Sequence, residues 1–152
     1  MSEQRFHVIG MTDDQSGTFS AEILQLMGRG KVFTGGKRHH EIVASLLPED
    51  AVWIDITVPL DKVFSQYEAY AEIIVFASGD PLFFGFANTL KKRLPDAWMR
   101  VYPTFNSLQI LAHRLVLPYH DMRTVSLTGR PWQNLDEALI RGDKLIGALT
   151  DR

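Results

Sequence analysis

Short apolar runs alternate with segments of helical periodicity along most of the chain. The runs predict five strands, at residues 6–9, 32–34, 52–57, 73–77 and 99–102. The strongest signal is the run at 73–77, which is typical of a strand buried on both faces. Apolar residues at helical spacing predict helices at 19–28, 39–47, 58–70, 83–94 and 108–115. This alternation favours an α/β fold with a mostly parallel five-stranded sheet and helices on both faces.

The C-terminal part of the chain follows a different pattern. It predicts a strand at 124–127, a linker at 128–134, a short helix at 135–141 and a strand at 145–149. One helix and one strand do not bury their own faces. We therefore expect residues 1–127 to form an N-terminal α/β domain, and residues 128–152 to be a linker and the start of a second α/β domain, so that the chain is a fragment. In the alternative interpretation, this tail completes the sheet of the first domain.

Composition excludes several classes of site and partner. The 16 basic and 18 acidic residues leave a formal net charge of −2, so no overall basic field attracts nucleic acid or a membrane surface. The absence of cysteine excludes disulfides, thiolate metal ligands and a cysteine nucleophile. No stretch approaches the roughly 18 apolar residues of a membrane span. These features predict a cytoplasmic protein without a membrane, nucleic-acid or metal partner.

The loop after the strand at 73–77 is the first candidate for chemistry. It begins with Ser78, Gly79, Asp80 and Pro81, and ligands of open α/β sheets bind beyond the carboxyl ends of strands. Aspartate followed by proline is also typical of a helix N-cap and the first helical residue, so Asp80 is predicted to cap the helix at 83–94. The same helix start offers backbone N–H groups to an anion, such as a cofactor's carboxylate, and the two interpretations are compatible.

A second glycine turn precedes a basic segment. Gly36 is followed by Lys37, Arg38, His39 and His40. This is not a Walker A phosphate loop, because a glycine stands where that motif needs its lysine. The segment is either a solvated surface or a site for an anionic substrate with several carboxylates. The adjacent histidines point in different directions on a helix, so they do not form a metal site by themselves.

Two further strand ends carry small or polar residues. Gly10 follows the first strand without the G-x-G-x-x-G pattern, so a nicotinamide or flavin dinucleotide site is unsupported. Thr104, Asn106 and Ser107 follow the fifth strand, and one of them is expected to cap the next helix while the others meet a ligand. Neither G-x-S-x-G nor H-E-x-x-H occurs, which favours the positioning of a reactive cofactor.

Five segments at or near predicted strand ends form one ordered pattern. In chain order they are VIG at 8–10, FTGGKRH at 33–39, ASGDPLFFG at 77–85, PTFNS at 103–107 and VSLTGR at 125–130. Together they resemble one family, the tetrapyrrole methylases of cobalamin biosynthesis. Within this family they are most similar to the branch that methylates precorrin-6Y at C5 and C15, or to its C5-methylating subunit, which acts on cobalt-precorrin-7. Two loops depart from the family pattern. The loop after Gly10 lacks the glycines and proline of Gly-x-Gly-Pro-Gly, and Thr104 and Asn106 replace a glycine and a serine.

The resemblance implies a two-domain enzyme, usually a homodimer, that binds S-adenosylmethionine between its domains and methylates a carbon of an anionic precorrin. It implies cofactor contacts from Ser78, Gly79, Asp80, Pro81, Phe83, Thr104, Asn106 and Ser107. It implies substrate contacts from Gly10, Lys37, Arg38 and His39. His39 and His40 are the candidates for a general base.

Two other functions stay open at this point. The chain is alternatively a methylase that acts on another precorrin or on a non-tetrapyrrole acceptor. It is otherwise a non-catalytic domain of the same fold, which binds a partner or completes a larger enzyme. In the methylase interpretation the donor is already activated, so the protein mainly aligns donor and acceptor and excludes water.

Overall fold

The predicted alternation of strands and helices is present in the computed structural model, which describes residues 3–12 and 19–150. The strands are β1 (Arg5–Met11), β2 (Val32–Gly35), β3 (Val52–Asp55), β4 (Glu72–Ser78), β5 (Trp98–Tyr102), β6 (Arg123–Ser126) and β7 (Ile146–Leu149). The helices are α1 (Ala21–Arg29), α2 (Lys37–Val43), α3 (Leu60–Tyr67), α4 (Phe86–Arg93), α5 (Ser107–Leu115) and α6 (Gln133–Arg141). Residues 13–15 of the first loop lie outside the described residues.

Five strands form one sheet in the order β3-β2-β4-β1-β5, with every neighbouring pair parallel. The neighbours β1 and β4 pair over their whole length, with Val8 beside Val75. On its other side, Val8 lies beside Val101 of β5. The parallel five-stranded sheet predicted from the sequence is therefore confirmed.

Both faces of this sheet are covered by helices, because β4 sends alternate side chains to opposite sides. Ile73, Val75 and Ala77 pack in one core cluster with buried residues of α3 and α4. Ile74 and Phe76 pack in a second cluster with buried residues of α1 and α2. Burial on both sides explains the uninterrupted apolar run of β4. The predicted helices on both faces are confirmed.

Several elements differ in extent from their predictions. The helix predicted at 39–47 is α2 followed by a short 3-10 helix, Ala44–Leu46. The strand predicted at 52–57 ends at Asp55, and the helix predicted at 83–94 begins only at Phe86. None of the described helices is long and apolar enough to cross a membrane.

Residues 105–152 form a compact unit of their own. This second unit contains α5, β6, α6 and β7, and β6 pairs in parallel with β7 in a two-stranded sheet, with Val125 beside Ala148. The first unit ends at Thr104 and contains the whole five-stranded sheet. The predicted boundary between residues 127 and 128 falls inside the second unit. The division into an N-terminal domain and the start of a second one stays a prediction.

A buried polar chain links three elements of the first unit. The Tyr67 hydroxyl lies 2.8 Å from Thr34 Oγ1, which itself donates to the Ile54 carbonyl at 2.7 Å. Since threonine has one hydroxyl hydrogen, Tyr67 is the donor in the first bond. Tyr67 is 1% exposed, and its burial raises the pKa of its phenol to about 12.

This burial predicts a loss of stability at alkaline pH. The Tyr67 phenol ionises at its ordinary pKa of 10.0 in the unfolded chain and only at about 12 in the folded chain. The unfolded state therefore loses its proton first, and the free energy of unfolding falls by about 3 kcal/mol between these pKa values. The Tyr67→Phe variant should lose ~1 kcal/mol at neutral pH and should lack this alkaline slope.

Urea unfolding curves at neutral pH and at several alkaline pH values measure both effects. The Tyr119→Phe variant is the control, because Tyr119 lies in the second unit, and it should keep the alkaline slope. An equal slope in Tyr67→Phe and the parent chain would contradict the burial of a neutral phenol.

Candidate functional site

The two neighbouring strands β1 and β4 lead to opposite faces of the sheet. β1 is followed by α1 on one face, and β4 is followed by α4 on the other. Where the connections of adjacent parallel strands diverge in this way, a crevice lies between them at the carboxyl edge, and ligands of open α/β sheets bind there. The carboxyl edge of the first unit is therefore the candidate site.

Main-chain hydrogen bonds join the loops at this edge. The Gly79 N–H donates to the Met11 carbonyl at 2.7 Å, and the Thr104 N–H donates to the Gly79 carbonyl at 3.4 Å. Gly79 has a φ of 62°, which glycine adopts without strain. Gly10 is packed so closely that a Cβ atom there would overlap the Gly79 carbonyl oxygen. The ends of β1, β4 and β5 are thus joined by contacts that require glycine at position 10.

Asp80 forms a turn and does not cap α4, so the prediction of an N-cap is wrong. Its Oδ1 accepts a hydrogen bond from the Leu82 N–H at 3.0 Å, and its carbonyl accepts one from the Phe83 N–H at 2.9 Å. Aspartate uses such local bonds as an alternative to capping a helix. Asp80 therefore stabilises the loop after β4, and its contact with a cofactor stays a prediction.

The start of α4 is determined by the main chain of that loop. The N-cap is Gly85, where a Cβ would lie 2.5 Å from the Pro81 carbonyl oxygen, and this carbonyl accepts a hydrogen bond from the Ala87 N–H at 3.1 Å. Phe84 precedes the cap with a left-handed φ of 52°. Pro81 is therefore not the first helical residue. The helix begins five residues further on, at Phe86, because the chain first folds back on itself.

The same loop presents apolar side chains at the carboxyl edge. Leu82 is 52% exposed and Phe84 39% exposed, and the half-buried Phe83 ring meets the Phe84 ring edge-on at 4.9 Å. A left-handed φ at a residue other than glycine costs roughly 1 kcal/mol or more and is often associated with function. Leu82 and Phe84 were missed by the sequence reasoning. The signal for them is the run of three apolar residues, 82–84, directly after the Gly-Asp-Pro turn.

His39 connects α2 with the end of β4. Its Nδ1 accepts a hydrogen bond from the Gly36 N–H at 3.2 Å, and its Nε2 lies 3.1 Å from Ser78 Oγ. A ring nitrogen that accepts a hydrogen bond carries no proton, so the neutral imidazole has its proton on Nε2 and donates it to Ser78. The structure thus brings together two predicted site residues that are 39 positions apart in the chain.

His40 points elsewhere. Its ring stacks on the Trp53 indole, with 4.0 Å between centroids and 8° between planes. Trp53 donates its Nε1–H to Asp55 at 2.8 Å and stacks on Phe76 with 6.1 Å between centroids. His40 therefore belongs to the aromatic packing between α2 and the sheet, and its role as a general base stays a prediction.

Lys37 and Arg38 are exposed in the first turn of α2, next to His39. Because α2 follows the carboxyl end of β2, these cations lie at the same edge of the sheet as the loop after β4. Lys37 and Arg38 thus form a basic rim at this edge, which suits an anionic ligand. Across residues 3–12 and 19–150, no group of three or more His, Cys, Asp or Glu side chains is placed to hold a metal ion.

The predicted site residues after β5 belong to different units. Thr104 ends the first unit, whereas Asn106 and Ser107 lie in the second. Asn106 is the N-cap of α5: its side chain accepts a hydrogen bond from the Gln109 N–H at 2.9 Å, and the Gln109 side chain accepts one from the Asn106 N–H at 3.0 Å. The prediction that one of these residues caps the helix is confirmed. Their cofactor contacts stay predictions.

Comparison with known proteins agrees with the resemblance in the motifs. No protein-family model matches the chain. One curated relative, the precorrin-6Y C(5,15)-methyltransferase (decarboxylating) of Sinorhizobium sp, is 33% identical over 147 residues. The match covers 95% of this chain, and the chain spans 35% of the relative's length. The similarity to precorrin-6Y methyltransferases is therefore confirmed over nearly the whole chain.

Solved methyltransferase structures share the fold. The methyltransferase CobJ aligns with a TM-score of 0.70 and 22% identity, over 92% of this chain and 65% of that chain. The precorrin-6Y methylase of Archaeoglobus fulgidus aligns with a TM-score of 0.61 and 19% identity, over 87% of this chain and 68% of that chain. A uroporphyrin-III C-methyltransferase of Thermus thermophilus, complexed with S-adenosylhomocysteine, aligns with a TM-score of 0.56 and 21% identity. The alignment covers 80% of this chain and 55% of that chain. At these identities the likeness establishes the fold alone.

The close packing at Gly10 predicts a large effect of one methyl group. A Gly10→Ala variant places its Cβ against the Gly79 carbonyl and 3.0 Å from the Thr104 nitrogen, and these backbone atoms cannot move aside cheaply. We expect the free energy of unfolding to fall by roughly 2 kcal/mol or more.

Gly28→Ala is the matched control, because a Cβ at Gly28 meets nothing within 4 Å and Gly28 lies within α1. This variant should gain about 1 kcal/mol from the higher helix propensity of alanine. Guanidinium unfolding curves of the three proteins measure both changes. Equal stability of Gly10→Ala and the parent chain would show that the ends of β1 and β4 are not held in this arrangement.

Proposed function

We propose that this chain, a relative of the tetrapyrrole methylases in sequence and fold, is part of an S-adenosylmethionine-dependent enzyme that methylates a carbon of a precorrin in cobalamin biosynthesis. The reaction is of the C5/C15 type. The observation that carries the proposal is the convergence of the carboxyl end of β1 with the residues that follow β2 and β4 at one edge of the sheet, in a chain 33% identical to a precorrin-6Y C(5,15)-methyltransferase. Three of the five segments that carry the resemblance lie at this edge.

The residues at this edge fit S-adenosylmethionine, which has a carboxylate, an ammonium and a sulfonium cation, and a purine whose flat faces stack on apolar surfaces. The exposed Ser78 hydroxyl offers a hydrogen bond to a carboxylate. The exposed parts of Leu82 and Phe84 offer an apolar surface to a purine. In this proposal the cofactor is held by Ser78, Gly79, Asp80, Pro81, Phe83 and Thr104 of the first unit, and contacts from Asn106 and Ser107 rest on the resemblance alone.

The basic rim fits the substrate. A precorrin carries several acetate and propionate arms, and the exposed Lys37 and Arg38 supply cations for them. Gly10 and His39 lie at the same edge and belong to the proposed substrate contacts, His39 through the Ser78 hydroxyl that its ring contacts.

The proposed mechanism depends on alignment. Held by the loop that begins with Ser78, Gly79 and Asp80, S-adenosylmethionine would supply an already activated methyl group for a ring carbon of the precorrin. The protein's contribution is to hold donor and acceptor in line and to exclude water. The backbone contacts at Gly10 and Gly79 fix the loops that do so, and the apolar Leu82 and Phe84 reduce the access of water.

The activity is tested with S-adenosylmethionine and precorrin-6Y, with mass spectrometry of the tetrapyrrole as the readout. A gain of one or more methyl groups supports the proposal, and a panel of other precorrins identifies a different acceptor. Binding of S-adenosylhomocysteine in a calorimeter without any methyl transfer would favour a non-catalytic domain of this fold. Binding of neither cofactor nor tetrapyrrole would contradict the proposal.

The basic rim makes a sharper prediction. Replacing both cations, Lys37→Ala with Arg38→Ala, should weaken binding of uroporphyrin III, a stable tetrapyrrole polycarboxylate, by roughly fivefold at low salt and less at high salt. The matched control replaces Lys91 and Lys92 with alanine, since they are exposed in the last turn of α4, at the opposite end of the helix from the candidate edge. Fluorescence titration measures both affinities. An equal loss in both double variants would point to nonspecific charge attraction.

A homodimer and a cytoplasmic location also belong to this proposal, and both rest on the resemblance. Light scattering coupled to size-exclusion chromatography tests the first, with a molecular mass of one chain as the contradicting result. Fractionation of the native cells tests the second.

A further inference from the structure

One side-chain hydrogen bond at the candidate edge joins residues of two different loops. His39 is the third residue of α2, and Ser78 is the last residue of β4. The distance from His39 Nε2 to Ser78 Oγ is 3.1 Å, within the range of a hydrogen bond. The bond therefore links α2, which follows β2, to the end of β4. The strands β2 and β4 are neighbours in the sheet, and the bond lies at their carboxyl ends.

The direction of this bond follows from the other ring nitrogen. Nδ1 accepts the Gly36 N–H at 3.2 Å, so the neutral ring carries its proton on Nε2. The Ser78 oxygen is therefore the acceptor in the bond from His39. Its own hydroxyl hydrogen is not used in this bond, so the exposed Ser78 side chain keeps a donor for another acceptor. The bond from His39 restricts the rotation of the hydroxyl and favours donation away from the imidazole.

The position of His39 is set by the packing of α2 on the sheet. A Cβ atom at Gly35 would lie 3.1 Å from Trp53, 3.2 Å from the His39 Cβ and 3.3 Å from the Phe76 Cβ. A side chain at position 35 would therefore be tight against all three neighbours, so the absence of one lets them pack closely here. The packing of α2 on the sheet thus fixes the position of the His39 Cβ, and the hydrogen bond from the Gly36 N–H fixes the orientation of its ring.

We infer that His39 is a positioning residue that orients the Ser78 hydroxyl as a hydrogen-bond donor to a ligand carboxylate at the carboxyl edge. A carboxylate is the ligand chemistry that suits a hydroxyl donor beside the exposed cations Lys37 and Arg38. His39 acts through Ser78 and is not a catalytic residue in this inference. The inference rests on the proposed function, which offers two sources of carboxylate: the amino-acid part of the cofactor and the side arms of the tetrapyrrole.

The test is a double-mutant cycle on the whole chain. Four variants are compared with the parent: Ser78→Ala, His39→Ala, the double variant, and His39→Gln, whose amide has a carbonyl acceptor and an NH₂ donor group. The probes are S-adenosylhomocysteine, 5′-methylthioadenosine, which lacks the carboxylate, and uroporphyrin III. Affinities are measured by calorimetry or fluorescence, and thermal unfolding reports whether each variant is folded.

We expect Ser78→Ala to lower the affinity for the carboxylate-bearing ligand by roughly tenfold, because a hydrogen bond to a charged group is lost. We expect His39→Ala to lower it by roughly fivefold, because the same hydrogen bond is misdirected. The double variant should bind no more weakly than Ser78→Ala, because His39 acts only through that hydroxyl. His39→Gln should restore most of the affinity. A loss for S-adenosylhomocysteine but not for 5′-methylthioadenosine identifies the cofactor as the source, and a loss for uroporphyrin III alone identifies the tetrapyrrole.

Three results would overturn the inference: additive losses in the double variant, no effect of Ser78→Ala on any probe, or no rescue by His39→Gln in a folded protein. Nitrogen NMR of the His39 ring provides a readout that needs no ligand. A neutral ring protonated on Nε2, with a resonance that moves in Ser78→Ala, supports the positioning bond, and a ring protonated on Nδ1 overturns it. A parent chain that binds none of the probes contradicts the proposed function, and the inferred carboxylate partner is then overturned with it, whatever the ring shows.

Discussion

The arrangement of the candidate site depends on the close approach of the main chain where β1 and β4 end. Their pairing runs to Met11 beside Ser78, and the bond from the Gly79 N–H to the Met11 carbonyl continues it one step into the loop. Gly10 permits this approach because it has no side chain to meet the Gly79 carbonyl. The loops after the two strands therefore start from one fixed place. Since they lead to opposite faces of the sheet, the space between their starts is a crevice by construction.

Much of the fold could be predicted because burial leaves a regular pattern in the sequence. β4 is covered on both sides, so its residues 73–77 are all apolar, and this run was recognisable without any partner strand. The helices left a spacing of three and four residues between apolar positions. The ends of elements were harder to predict. α4 begins at Phe86 because the loop before it folds back at Gly85, and neither the spacing nor the Asp-Pro pair contains that information.

The site was predictable in its location and not in its internal contacts. Ser78 and His39 both follow predicted strands, and the sequence predicts that they lie at one edge because parallel strands end at the same edge of a sheet. Their hydrogen bond depends on β2 lying beside β4 and on the packing of α2 around Gly35. These are features of the tertiary structure that the sequence pattern does not contain. The misassignment of Asp80 has the same origin. An aspartate before a proline serves equally well as a helix cap or as a turn residue, and the conformation of the following residues decides between them.

Several polar groups that a sequence motif would assign to a ligand are used by the protein itself. The Asp80 carboxylate accepts the Leu82 N–H, and the Asn106 side chain caps α5. His39 accepts from one main-chain group and contacts Ser78. This use of polar groups restricts motion at the edge, because each bond fixes a loop or a ring. Under the proposed function such restriction is what the chemistry needs. An activated methyl donor requires little acid–base assistance, and the rate then depends on how closely donor and acceptor are held in line. A site formed by strand ends, whose main chains pack closely at glycine residues, is rigid enough for that requirement.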